Sequence, residues 1–70
     1  MVYVLKNQKK KIYVSEVIFV SRVLIRILHT SVRHNAKIYP TVDSARTFLN
    51  DWMPDDGFVI QDMTGRTIEG

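Results

Sequence analysis

Seventy residues carry a net charge of +3 and no cysteine. A chain this short makes one domain, residues 1–70, and buries only about 60% of the surface it exposes when unfolded, too little for a large enclosed active site. The missing thiols exclude disulfides, thiol catalysis and thiolate zinc sites, while the 46% apolar content is that of a folding chain.

The charge is unevenly spread. Residues 1–37 hold eight Lys and Arg against Glu16 alone, a net of +7, and residues 38–70 hold two against six acids, a net of −4. Such asymmetry points either to contact with a polyanion or to two halves that attract each other. Lys9, Lys10 and Lys11 precede an apolar stretch from Ile12 to Leu28, a pattern that superficially resembles a secretion signal. Glu16, Arg22 and Arg26 interrupt it, at a cost of roughly 2.5–3.5 kcal/mol each in mid-membrane, and no small-residue cleavage site follows. Neither a signal nor a membrane span is expected. The absence of cysteine fits a reducing compartment, so the expected location is cytoplasmic, in the host if the chain is viral.

Val2 to Leu5 and Ile12 to Val14 are short β-branched and aromatic runs, and the polar Lys6 to Lys11 between them predicts an N-terminal β-hairpin. The segment that follows is ambiguous. Val17, Ile18, Val20, Val23, Ile25 and Ile27 favour strand by propensity. Spacing favours helix, because Arg22, Arg26, His29 and Arg33 step by four, three and four, beside an apolar row of Val17, Val20, Leu24, Leu28 and Val32. Ser15 suits an N-cap, Glu16 the first turn and Asn35 the left-handed exit. A long amphipathic helix over 16–34 is therefore predicted, with strand as the alternative. Lys37 to Tyr39 reads as extended before Pro40. A short second helix follows, capped by Thr41 or Asp43, with Ala45, Phe48, Leu49 and Trp52 on one face and Pro54 at its end. After the turn at Asp55–Gly57, Phe58 to Asp62 reads as a strand, and Arg66 to Ile68 as a last one beyond Thr64–Gly65. The predicted class is α+β, with an antiparallel or mixed sheet.

Little in this sequence points to catalysis. The three glycines are scattered and build no phosphate loop. No serine has a base and an acid in its context. His29 and His34 are five apart, where helical metal pairs sit three or four apart. Asp55, Asp56 and Asp62 lack calcium-loop spacing and read as turn residues. No enzyme, cofactor or metal is expected.

Two interaction surfaces remain. Lys9, Lys10, Lys11, Arg22, Arg26 and Arg33 could follow a phosphate backbone, though no aromatic residue interleaves with the arginines for base stacking. The predicted long helix is also apolar over a wide arc, more than so small a fold can cover. That marks Val17, Val20, Leu24, Ile25 and Leu28 as a face for another protein or a second copy.

The stretch Tyr39 to Ile60, with Thr41-Val42-Asp43-Ser44-Ala45, Trp52, Pro54 and Gly57-Phe58, resembles the strand–helix–strand tail of a small phage inhibitor of bacterial RNA polymerase. The likeness covers about a third of the chain and needs gaps. That family's inhibitor presents acidic residues along its helix, where this chain has only Asp43 and Asp51 with Arg46 between. The resemblance implies only that a small inhibitor of a host machine belongs among the protein-binding readings. The leading expectation is a small non-enzymatic interaction or regulatory protein, binding a protein partner or itself. The alternative is a nucleic-acid-binding module built on the basic half.

Overall fold

A computed structural model describes residues 1–69, with Glu69 placed by its backbone alone. Five strands form one antiparallel sheet: β1 (Tyr3–Asn7), β2 (Ile12–Val20), β3 (Val23–Thr30), β4 (Phe58–Asp62) and β5 (Thr67–Glu69). Their spatial order is β3-β2-β1-β4-β5. A single helix among the described residues, α1 (Val42–Trp52), lies between β3 and β4 in sequence.

Strand β1 is the centre of the sheet and is covered on both faces, so successive residues Val4 and Leu5 are both fully buried. Leu5 packs with Val14, Ile60, Ala45 and Met53 on the side covered by α1. Val4 packs with Tyr13 and Ala36 on the other. Each large apolar side chain among them stabilises the fold by about 1.5–3 kcal/mol, so the core rests on few residues.

Of the two capping candidates, Thr41 is the N-cap of α1. Its Oγ1 accepts from the Ser44 amide at 3.0 Å, and the Ser44 Oγ accepts from the Thr41 amide at 3.3 Å. Asp43 sits in the first turn, where the helix dipole favours an acid, and its Oδ1 meets Arg46 Nη1 at 2.6 Å. Ala45 is buried, and Val42, Phe48 and Leu49 pack against the core. Pro54 has no amide to extend the ladder, so the helix stops after Trp52.

Asp62 organises the β4–β5 turn. Its Oδ1 accepts from the Thr64 hydroxyl at 2.5 Å, the Thr64 amide at 2.9 Å and the Arg66 amide at 3.1 Å. The Thr64 hydroxyl is the largest influence holding this carboxyl below its usual range. Burial works against it, and the backbone amides and the Arg66 charge add to the lowering.

The long helix expected over 16–34 is not formed. Those residues make most of β2, all of β3 and a 3₁₀ turn at Arg33–Asn35. The fold is thus mainly β with one helix, not an α+β domain with a long and a short helix. The N-terminal hairpin is present in part: β1 and β2 pair only at Lys6–Tyr13 and Asn7–Ile12. Asn35 has no left-handed backbone; apart from Gly57 and Gly65, that conformation falls on Lys11, Ser21 and Arg22.

The short β1–β2 pairing has a visible cause. The Val14 carbonyl accepts from the Lys37 amide at 2.8 Å, and Tyr39 exchanges two backbone hydrogen bonds with Tyr3, at 2.9 and 2.8 Å. Residues 37–39 are thereby inserted between β1 and β2. Beyond Val14, β2 pairs with β3 alone and the two strands leave the sheet as a projecting arm.

Candidate interaction surface

The arm is a two-stranded ribbon closed by Ser21 and Arg22. Their φ angles of +52° and +66° put both central residues in the left-handed region, as a type I′ hairpin turn requires. Asparagine and glycine are the usual occupants, so a Ser-Arg pair is strained there. Two bulges interrupt the ladder. Ser15 is unpaired between Val14–His29 and Glu16–Leu28, and Ile25 is unpaired between Ile18–Arg26 and Phe19–Leu24.

Directly opposed residues share a face, so the pairing sorts the arm's side chains. Val17, Ile27, Phe19 and Leu24 fall on the side of α1; Val17 and Ile27 pack against the core there. Phe19 meets Trp52 edge to face, with ring centroids 5.5 Å apart. At the arm's foot His29 stacks on Phe58 at 5.9 Å. On the other side lie Glu16, Leu28, Ile18, Arg26, Val20 and Val23. Coverage fails toward the tip: Val20 and Val23 are each 57% exposed and Ile25 is 60% exposed, with Ile18 and Phe19 also open to water.

The expected apolar face is therefore divided. Val17 is half-buried in the core, Leu24 lies beside Phe19, Leu28 is half-buried on the opposite side, and only Val20 and Ile25 are well exposed. The exposed set gains Ile18, Phe19 and Val23, which helical spacing did not select, and the half-open Trp52, which spacing placed on the apolar face of the second helix. The density of β-branched and aromatic residues was the signal that could have found the first three.

The basic residues are divided too. Lys9 and Lys10 lie in the β1–β2 turn with Lys11, and all three are exposed. Arg22 is at the far end of β2, about 30 Å away at some 3.3 Å per residue. Arg26 projects from the arm between these ends. Arg33 is not a free surface cation. Its guanidinium lies 5.9 Å from the Tyr13 ring centroid, and a Cβ placed on Gly65 would come within 2.6 Å of Nη2. Lys6 Nζ lies 5.3 Å from the same ring. Arg33 thus packs the 3₁₀ turn against Tyr13 and the β4–β5 turn, and no single stripe joins the six positions.

The two oppositely charged halves do meet within the chain. Asn7 Nδ2 donates to the Asp56 carbonyl at 2.8 Å, while Asn7 Oδ1 accepts from the Lys10 amide at 3.0 Å. One side chain thereby ties the acidic Asp55–Asp56 turn to the foot of the lysine turn.

No helix among the described residues is long and apolar enough to cross a membrane. Scanned against family models, curated proteins and solved structures, the chain has no match.

Proposed function

We propose that this chain is a small non-catalytic binding protein that engages a protein partner through the β2–β3 arm. The observation that carries the reading is the uncovered apolar surface at the arm's tip, Val20, Val23 and Ile25 with Ile18 and Phe19 beside them. Large apolar side chains grouped on a projecting element are surface that a soluble chain ordinarily covers, and a long strand edge beside them offers backbone hydrogen bonds as well. Wild-type chain and a Val20→Asp/Val23→Asp variant, each immobilised at high salt with a tagged second copy among the candidate partners, test this. Polypeptides retained by the wild type and lost from the variant are the expected result. Identical retention by both, with both folded by circular dichroism, would remove the arm from the account.

Nucleic-acid binding is the second reading, supported by the three exposed lysines at residues 9–11. It is supported less well, because Arg22 is remote from them and Arg33 is engaged in packing. A polyanion contact would weaken steeply with salt through counterion release, and Lys9/Lys10/Lys11→Glu would abolish it. No mobility shift with DNA or RNA at low salt would end this reading.

A further inference from the structure

Strand β3 is an edge: β2 lies on one side of it, and among the described residues no strand lies on the other. Over Val23–Thr30 that outer side carries a row of backbone donors and acceptors facing away from β2. Natural edges are blunted by proline, by several charges, by brevity or by a bulge. Here eight residues hold no proline and one arginine, and the one bulge, at Ile25, lies toward the tip and leaves Arg26 to Thr30 regular.

We infer that the arm's partner is a second copy of this chain, joined by antiparallel pairing of β3 with β3 about a two-fold axis at Ile27. This rests on the reading of the arm as a protein-binding element and names its occupant. A two-fold axis normal to the sheet pairs residues of like face, so the registers available near the strand's middle place Arg26, Ile27 or Leu28 opposite itself. Arg26 on the axis sets two like charges face to face. Ile27 on the axis does the reverse. Ile27 meets Ile27 of the partner, and with Val17 beside each, four apolar residues cross the joined sheet on the side of α1. Val17 and Ile27 already pack against the core, so the two cores become continuous. On the opposite face Arg26 comes to lie opposite Leu28 of the partner, in the same row as Glu16 of the partner. Centring on Leu28 instead places Arg26 against Thr30 and sets the two Glu16 residues in one row. Only the Ile27 register gives both an apolar centre and an acid in the row of each Arg26. It also carries each exposed tip toward the partner's Val32, itself 47% exposed.

Sedimentation equilibrium and cysteine cross-linking test this on the full chain, which has no cysteine of its own. Wild type is expected at twice 8.2 kDa at high micromolar concentration, and Ile25→Lys at the single mass with its sheet signal retained. Opposed residues in an antiparallel pair lie about 4.5–5.5 Å apart at Cα, within disulfide range. Ile27→Cys should therefore form an interchain disulfide under mild oxidation, and Arg26→Cys alone should not. Ile27 touches the core, so an equimolar mixture of Arg26→Cys and Leu28→Cys gives an independent check; it should cross-link where neither variant does alone. A wild-type chain at 8.2 kDa throughout, or cross-linking that ignores position, overturns the inference. A monomer whose Val20→Asp/Val23→Asp variant still loses another captured protein leaves the arm reading standing while this inference falls. A dimer that survives both Ile25→Lys and Val20→Asp/Val23→Asp removes both.

Discussion

The foot of the sheet and the arm use similar amino acids to opposite ends. In the foot, Val4, Leu5, Val14 and Ile60 are flanked by strands or by the inserted residues 37–39 and covered on their faces, and they are shut off from water. In the arm, Ile18, Val20 and Val23 are of the same kind but lie on the side away from α1 and stay exposed, as does Ile25 at its bulge; on the near side α1 reaches Phe19 through Trp52. Burial therefore follows the cover each face receives, α1 on one side of the foot and the Ala36 segment on the other, not hydrophobicity. The lesson is that this chain places more β-forming apolar sequence in β2 and β3 than the covering segments on the two faces reach.

The sharpest contrast comes from cutting each region alike. Ile60→Ala should cost about 2–5 kcal/mol, comparable with the whole margin of about 3–5 kcal/mol for a core of this size, and leave the chain largely unfolded. Val23→Ala should change stability by less than about 0.5 kcal/mol. Urea denaturation measures both, and similar losses would mean that the arm is packed as tightly as the foot.

A smaller effect is expected at the arm's tip. Ser21→Asn with Arg22→Gly supplies the residues a left-handed two-residue turn favours and should raise stability by about 1–2 kcal/mol. The same denaturation curves check it. No gain would show that the strain at Ser21 and Arg22 is relieved elsewhere in the arm.

The smallest effect probes the foot through Tyr39. Burial pushes this phenol up to about 12, and its hydroxyl has no hydrogen-bond partner. The folded chain thus holds the phenolic proton more tightly than the unfolded chain, where the ordinary value is near 10. Its contribution is intact below pH 10 and is lost as pH rises from about 10 to 12. Tyr39→Phe should flatten that alkaline decline relative to wild type and, by removing an unpaired buried hydroxyl, add about 1 kcal/mol at neutral pH. Unfolding followed at pH 8 and pH 11 separates the two effects.

Much of the foot was readable because its signals are local. Ala45, Phe48, Leu49 and Trp52 step as a helix face, Thr41 caps it, Pro54 ends it, and turn residues flank Phe58 to Asp62. The arm was misread for a physical reason. Each bulge turns one strand step of two into a step of three. The side facing α1 therefore reads Val14, Val17, Phe19 and then Leu24, Ile27, His29, which imitates helical spacing. Ser21-Arg22 gave no turn warning, since neither is glycine, proline or asparagine. The β-branched density of residues 17–27 held the right answer and was outweighed by that spacing. Of the candidate surface, the region 17–28 was legible; which of its side chains face water was not, because that depends on the face each takes in the ladder and on how far the cover of that face extends. The basic stripe required a helix that does not exist.

Residues 37–39 also bear on the order in which the chain assembles. Contacts close in sequence form before distant ones, so β1 and β2, separated by four residues, and β2 and β3, separated by two, can zip early. Nothing in those thirty residues stops β1 and β2 from pairing past Tyr13. The Tyr3–Tyr39 bridge then requires any such early rungs to open and admit the later segment. Early rungs of that kind would have to be exchanged for those of residues 37–39 before the arm stands free of the sheet.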